Sequence, residues 1–208
     1  MSLMNTIQET IMGKKGNGMS MNAIEILKAD HDVVEGLFKE VEATENKTKQ
    51  KALFKKIKAE LDVHAHIEEK IFYPRVLKLK EVKDVTLEGI EEHHQAKMFL
   101  REIPKLPGGS ERFDPKLSVL MEDIRHHVKE EENEMFPKVQ DLIEEAELEK
   151  IGAAMQAERK KYKTTMSQAA KLKSSELDGS KVASPKAAPA KSTSAKAPAK
   201  KKATAKAN

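Results

Sequence analysis

Residues 64–74 read HAHIEEKIFYP, and which face of a helix they occupy decides the fold. Leu53, Ile57 and Leu61 upstream and Ile71 downstream recur at spacings of three and four, the stripe of an amphipathic helix. His64 and Glu68 fall inside that stripe. An ionised carboxylate on a buried face is costly unless something pairs with it, so the stretch predicts a partner waiting in the core.

The same frame returns later in the chain. HVKEEENEMFP, from His127, repeats H-x-x-x-E-E and then an aromatic residue and a proline at the same offsets, displaced by 63 residues. Upstream, His31 is followed by Val34, Leu37, Phe38, Glu40 and Val41, and His93 by Ala96, Phe99, Leu100, Glu102 and Ile103, at identical offsets and displaced by 62. The chain therefore reads as two copies of a helical hairpin. Each copy supplies one histidine from its first helix and a His/Glu pair from its second.

Four main helices are expected. The first starts at Asn22, a cap residue with Glu25 three positions on, and carries Ile24, Leu27, His31, Val34, Phe38 and Val41 on one stripe. The second runs from about Lys51 to Tyr73, where Pro74 kinks or stops it. The third spans roughly Thr86 to Ile103, with Ile90, His93, Ala96 and Leu100 inward. After PKLPGGSERFDP, Asp114 and Pro115 read as cap and first residue of the fourth, which carries Leu117, Leu120, Ile124, His127, Glu131 and Met135 before Pro137. A less regular helix from about Glu145 to Lys171 offers Leu148, Ile151, Met155 and Tyr162. The expectation is an all-α protein, an up-down-up-down four-helix bundle with an additional C-terminal helix and a disordered tail. Residues 1–20 read as a flexible arm, 21–172 as the bundle, and 173–208 as a disordered lysine-rich tail.

Composition narrows the class. Charged residues make up 35% and aromatics 4% of the 208 residues, with no tryptophan, which suits helices with a modest core and argues against a sheet-rich fold. The absence of cysteine removes disulfides and thiolate metal ligands. The N-terminal stretch lacks a basic start followed by a continuous apolar core, and no run of roughly 18 apolar residues occurs, so a cytoplasmic protein is expected. The net charge of +4 conceals a division: from Gly179 onward there are eight lysines and no acid, which leaves the rest near −4.

Residues four apart share a helical face, so His64 with Glu68, and His127 with Glu131, point the same way into the bundle, where His31 and His93 also lie. Four imidazoles and two carboxylates make a poorly satisfied core alone, but a coherent ligand set for two cations. Imidazole with hard carboxylate, and no sulfur, suits iron or manganese, with zinc also accommodated. The plain alternative is an ordinary bundle with polar core residues.

The ordered set of a histidine, H-x-x-x-E, a histidine and H-x-x-x-E resembles the hemerythrin-like HHE cation-binding domain over about Asn22 to Lys171. The resemblance implies a non-haem di-iron centre bridged by carboxylates, with His31, His64, Glu68, His93, His127 and Glu131 as ligands. It also implies a protein that engages oxygen, nitric oxide or peroxide as sensor, buffer or protectant. Oxygen-carrying members have a fifth histidine, in an H-x-x-x-H of the third helix; here Lys97 follows His93 by four. Coordination positions stay open as a result, which keeps a peroxidase- or ferroxidase-type enzyme as the second reading.

Of the other histidines, His66 reads as solvated and His126 as exposed or beside a ligand, while His94 competes with His93, since a register slip would exchange them, and the matching offsets favour His93. Glu69, Glu130 and Glu132 read as a charged outer face, with Glu69 or Glu132 available as an oxygen ligand. In the tail, Lys181, Lys186, Lys191, Lys196 and Lys201 recur every fifth residue among Ala, Pro and Ser, similar to linker-histone-type tails. Such lysines can neutralise phosphates without reading sequence, so a third reading is a nucleoid or polyanion-binding protein that uses the bundle as scaffold.

Overall fold

The computed structural model describes residues 21–107 and 109–179, with side chains as far as Leu172; the expected arm at 1–20 and the tail from 180 lie outside the described residues. The elements are α1 (Ala23–Glu42), α2 (Lys47–Ile67), α3 (Tyr73–Val76), α4 (Lys83–Glu102), α5 (Phe113–Glu130), α6 (Phe136–Leu142) and α7 (Glu145–Gly179). No strand occurs among the described residues. The compact unit that holds the bundle ends at Gln168, and a second unit begins at Ala169. Among the described residues no helix is long and apolar enough to cross a membrane.

α1 begins as its sequence dictates. The Glu25 amide donates to Asn22 Oδ1 at 2.9 Å and the Asn22 amide donates to Glu25 Oε2 at 3.0 Å, a reciprocal capping box. All six stripe residues of α1 are buried. α1 packs chiefly on α2, and α4 on α5, so each predicted hairpin forms a pair.

Both second helices depart from a simple kink. α2 passes at Glu68–Phe72 into a π-helical turn before α3, and α5 passes at Glu131–Met135 into another before α6. The physical reason lies in the prolines. Pro74 and Pro137 have no amide hydrogen, and their rings crowd the carbonyl four residues back. A widened turn absorbs both defects: the Tyr73 amide donates to the Glu68 carbonyl, and the Phe136 amide to the Glu131 carbonyl, five residues back. Each π turn opens on one of the two core glutamates.

The core consists of two apolar clusters with a polar layer between them. One gathers Val34, Phe38, Ile57, Leu61, Leu100 and Ile124; the other gathers Leu27, Ile67, Phe72, Phe136, Met135 and Ile151. Along α1 the order is Leu27, His31, Val34, so the histidine sits at the change from one cluster to the other. α7 closes the second cluster through Leu148, Ile151 and Met155. It approaches closely at Gly152, where a Cβ would lie 2.5 Å from the Met21 carbonyl oxygen and 2.9 Å from the Ala23 nitrogen.

Several expectations change. Asp114 does not cap α5: the helix starts at Phe113 behind Arg112, which makes no side-chain cap, and the Asp114 carboxylate pairs instead with Lys47. α2 starts earlier than expected, behind Asn46, whose side chain accepts from the Lys49 amide at 3.0 Å. On α4 the buried residue one turn before His93 is Gly89, and Ile90 is half-buried. α7 extends past Lys171 to Gly179.

Candidate metal centre

All six predicted residues meet in the polar layer, each buried: His31 from α1, His64 from α2, His93 from α4, His127 from α5, and Glu68 and Glu131 from the first positions of the π turns. Glu68 Oε2 lies 3.1 Å from His64 Nε2 and 3.3 Å from His93 Nε2. Glu131 Oε2 lies 3.3 Å from His31 Nε2 and 3.6 Å from His127 Nε2. Every imidazole thus turns Nε2 inward, and each carboxylate faces two of them.

The outward nitrogens are held just as systematically. Nδ1 of His31 donates to Glu132 at 2.7 Å, that of His93 to Glu69 at 3.0 Å, that of His127 to Glu92 at 2.7 Å and that of His64 to Asp30 at 3.4 Å. An ionised carboxylate only accepts, so each pairing places a proton on Nδ1 and leaves the Nε2 lone pair for a cation. Carboxylate partners of this kind orient metal-binding imidazoles and raise their basicity.

These four acids obey the same duplication as the ligands. Asp30 and Glu92 each precede the first-helix histidine, and Glu69 and Glu132 each follow the core glutamate. Glu69 and Glu132 are therefore not a mere charged face, as expected from the sequence; each π turn directs its second glutamate to a histidine of the other hairpin. The acids at equal offsets in both copies were the available signal. Lys97 bonds both oxygens of Glu69, so the residue at the fifth-histidine position supports His93 through that carboxylate.

The two copies differ at the aromatic that precedes each proline. The Tyr73 hydroxyl donates to Glu131 Oε1 at 2.9 Å, whereas its counterpart Phe136 has no hydroxyl and stacks on His31 with centroids 5.9 Å apart. Gly89 gives His127 and Tyr73 room: a Cβ there would lie 3.2 Å from His127 Cε1 and 3.3 Å from the Tyr73 oxygen. No spacing argument singled it out.

Electrostatics follow from this packing. Burial disfavours a charge on His64, yet Glu68 and the bond to Asp30 outweigh it and hold the imidazole well above the ordinary histidine value. The same balance pushes His93 up to about 9, through Glu68 and Glu69, and raises His31, through Glu131 and Glu132. Burial would raise Glu68, but His64 and His93 hold it well below the usual carboxylate range. Glu69 is held down to about 2, against its partial burial, by His93 and Lys97.

The donor set fits a pair of cations. His31 Nε2, both oxygens of Glu68 and Glu131 Oε2 are buried without a hydrogen-bond partner in the protein, all in one layer, and buried polar atoms left this way call for an ion or water. The ligand atoms of His31, His64, Glu68 and Glu131 lie within 4.8 Å of one another, as do those of Glu68, His93 and His127. Glu68 belongs to both groups.

The remaining histidines stand apart. His66 is 28% exposed, bonds Glu158 at 2.9 Å and stacks on Tyr162 at 4.0 Å, so it is packed against α7 rather than solvated. His94 and His126 are 63% and 61% exposed.

Comparison with known proteins gives the same picture. The family model described as Hemerythrin HHE cation binding domain matches residues 22–139. Uncharacterized proteins of Mycobacterium tuberculosis and Mycobacterium bovis are 33% identical over 140 residues, 66% of this chain and 84% of theirs. A DNA nickase of Nostoc sp. is 25% identical over 150 residues, 72% of this chain but only 42% of the nickase. The crystal structure of a Hemerythrin HHE cation binding domain-containing protein from Mycobacterium kansasii superimposes with a TM-score of 0.60 at 29% identity, covering 70% of this chain and 89% of that one.

Proposed function

This chain belongs to the Hemerythrin HHE cation binding domain family, and from that premise we propose that its bundle holds two iron ions and engages oxygen, nitric oxide or peroxide as a sensor, buffer or protectant. The observation that carries the reading is the inward convergence of four Nε2 atoms on two carboxylates, with all four Nδ1 atoms held by acids. His31 and His64 would hold one ion, His93 and His127 the other, with Glu68 and Glu131 between them. Iron so held supplies reversible redox chemistry toward small oxygen- and nitrogen-containing ligands.

The chain's own contribution is access and exclusion. A cavity of about 20 Å³ abuts the four imidazoles, walled by Val34, Leu61, Ala96, Leu100, Ile124 and Val128. That volume accommodates about one water-sized molecule, so a ligand the size of a diatomic fits beside the imidazoles. The small apolar chamber favours a binding protein over an enzyme that turns over bulky substrates. Manganese or zinc would satisfy the same nitrogen and oxygen donors, and metal analysis with visible spectroscopy separates them. The expected result is about two irons per chain and a charge-transfer band that bleaches on anaerobic reduction and returns on exposure to oxygen. Loosely held zinc, or no metal, would refute the di-iron reading.

A second activity is favoured by the concentration of eight lysines and no acid after Gly179. We assign to residues 179–208 a non-specific, salt-sensitive grip on DNA or another polyanion. Truncation after Ser174 is expected to abolish retention on DNA at low salt and leave metal content intact; retention unchanged by the truncation would exclude the tail as its source.

A further inference from the structure

The duplicated hairpins make the polar layer nearly two-fold symmetric, and α7 has no second copy. Its buried stripe of Leu148, Ile151 and Met155 continues one turn further to Arg159, which reaches Asp30. Nη1 donates to Asp30 Oδ1 at 2.9 Å and Nη2 to Oδ2 at 2.5 Å, a bidentate pair in which the side chains are only 11% and 15% exposed. Asp30 is the acid that holds His64 Nδ1. Its counterpart in the other half, Glu92, is bonded by His127 Nδ1 at 2.7 Å and has the exposed His126 Nε2 at 3.8 Å. A planar guanidinium, 11% exposed, fixes Asp30 in one half of the centre; in the other, the single ammonium of Lys97, 33% exposed, holds Glu69, and Glu92 has an exposed imidazole as neighbour.

We propose that Arg159 is a positioning residue for the His31/His64 half of the centre, and that this clamp from the fifth helix makes the two cation positions unequal, with the His31/His64 position the tighter. The inference rests on the two-cation reading above. Its physical basis is orientation. A planar guanidinium bonded at both nitrogens leaves the Asp30 carboxylate a single pose, and that pose sets the imidazole plane and tautomer of His64 before any cation arrives. Preorganisation of a ligand lowers the cost of binding without a new contact to the ion. Arg159 lies beyond residue 139, where the family match ends, so the clamp comes from a segment outside the duplicated hairpins.

The test is a stepwise titration of the metal-free, full-length protein with cobalt(II) against a competing chelator, with the visible bands following each position. The unaltered protein is expected to load in two resolved steps. Arg159→Met is expected to weaken the tighter step by about tenfold and to leave the weaker step unchanged. Asp30→Asn should reproduce that pattern, and the double variant should lose no more than either single one, because both act through one chain of contacts. Arg159→Lys should restore part of the loss, and with Asp30→Asn it carries the comparison if the Met variant folds poorly. Equal weakening of both steps, as general destabilisation would produce, or no change in either, overturns the proposal. A wild-type protein that takes up no cobalt would fail earlier, before any variant is compared, and would overturn the two-cation reading itself.

Discussion

Glu68→Ala is expected to lower metal content from about two ions per chain to near zero, with Glu131→Ala close behind and His66→Ala without effect. Glu68 is decisive because one of its oxygens lies 3.1 Å from His64 Nε2 and 3.3 Å from His93 Nε2, so it serves both halves of the layer. No other carboxylate can replace it: Glu69, next in sequence, is already bonded to His93 Nδ1 and to Lys97. The metal-free protein should register the change as well. Glu68 is the principal charge that keeps His64 and His93 protonated in a buried layer. Without it those imidazoles should lose their elevated values, which titration by NMR would record, and breaking such a buried pair costs about 3–5 kcal/mol. His66 contacts Glu158 and Tyr162 instead of the core glutamates, which makes it the appropriate control. Two tightly held ions in both glutamate variants would refute the ligand assignment.

Acidification should weaken metal loading steeply. In the metal-free protein His31 and His64 are raised and His93 stands at about 9, so at neutral pH a cation must displace protons from the nitrogens it binds. Each displaced proton contributes up to about tenfold per pH unit, and with more than one histidine involved the apparent affinity should drop roughly 100-fold or more between pH 8 and pH 6. Chelator competition across that range, with proton release measured in weak buffer, checks both sign and size. Loading that is independent of pH would mean that these imidazoles carry no such protons.

The stability of the metal-free protein should run the opposite way. A histidine whose folded value is raised contributes stability that is fully present below the unfolded value of about 6.5 and is lost as pH rises through the folded one. For His93 that loss is complete only above about 9. Denaturation midpoints of the metal-free protein should therefore fall from pH 6.5 to above 9, while metal-loaded protein gains over the same interval.

The six core residues were legible because of a repeat. A single H-x-x-x-E on an apolar stripe is ambiguous, but two copies in register, each preceded by a helix with one inward histidine, place four imidazoles and two carboxylates in one bundle. The helix order and most inward faces followed from the same periodicity. Asp30, Glu69, Glu92 and Glu132 were in the repeat too, at equal offsets, yet they fall beside the stripe and read as surface charge. Their direction depends on where the neighbouring helix stands, because each bonds a histidine from a different helix of the bundle.

By itself, the amino-acid sequence determined that the chain is helical, that it is duplicated, and most of the side chains that face inward, since three-four spacing is a local property of the backbone. Tertiary structure alone decided three matters. The prolines could have kinked, stopped or widened the second helices; packing of Phe72 and Phe136 in the core accompanied π turns that aim Glu68 and Glu131 into the layer. The tautomer of each histidine was decided by an acid far away in sequence. Arg159 found Asp30 across 129 positions because α7 buries its stripe against the second apolar cluster, and that distance is set by packing, which no local pattern encodes.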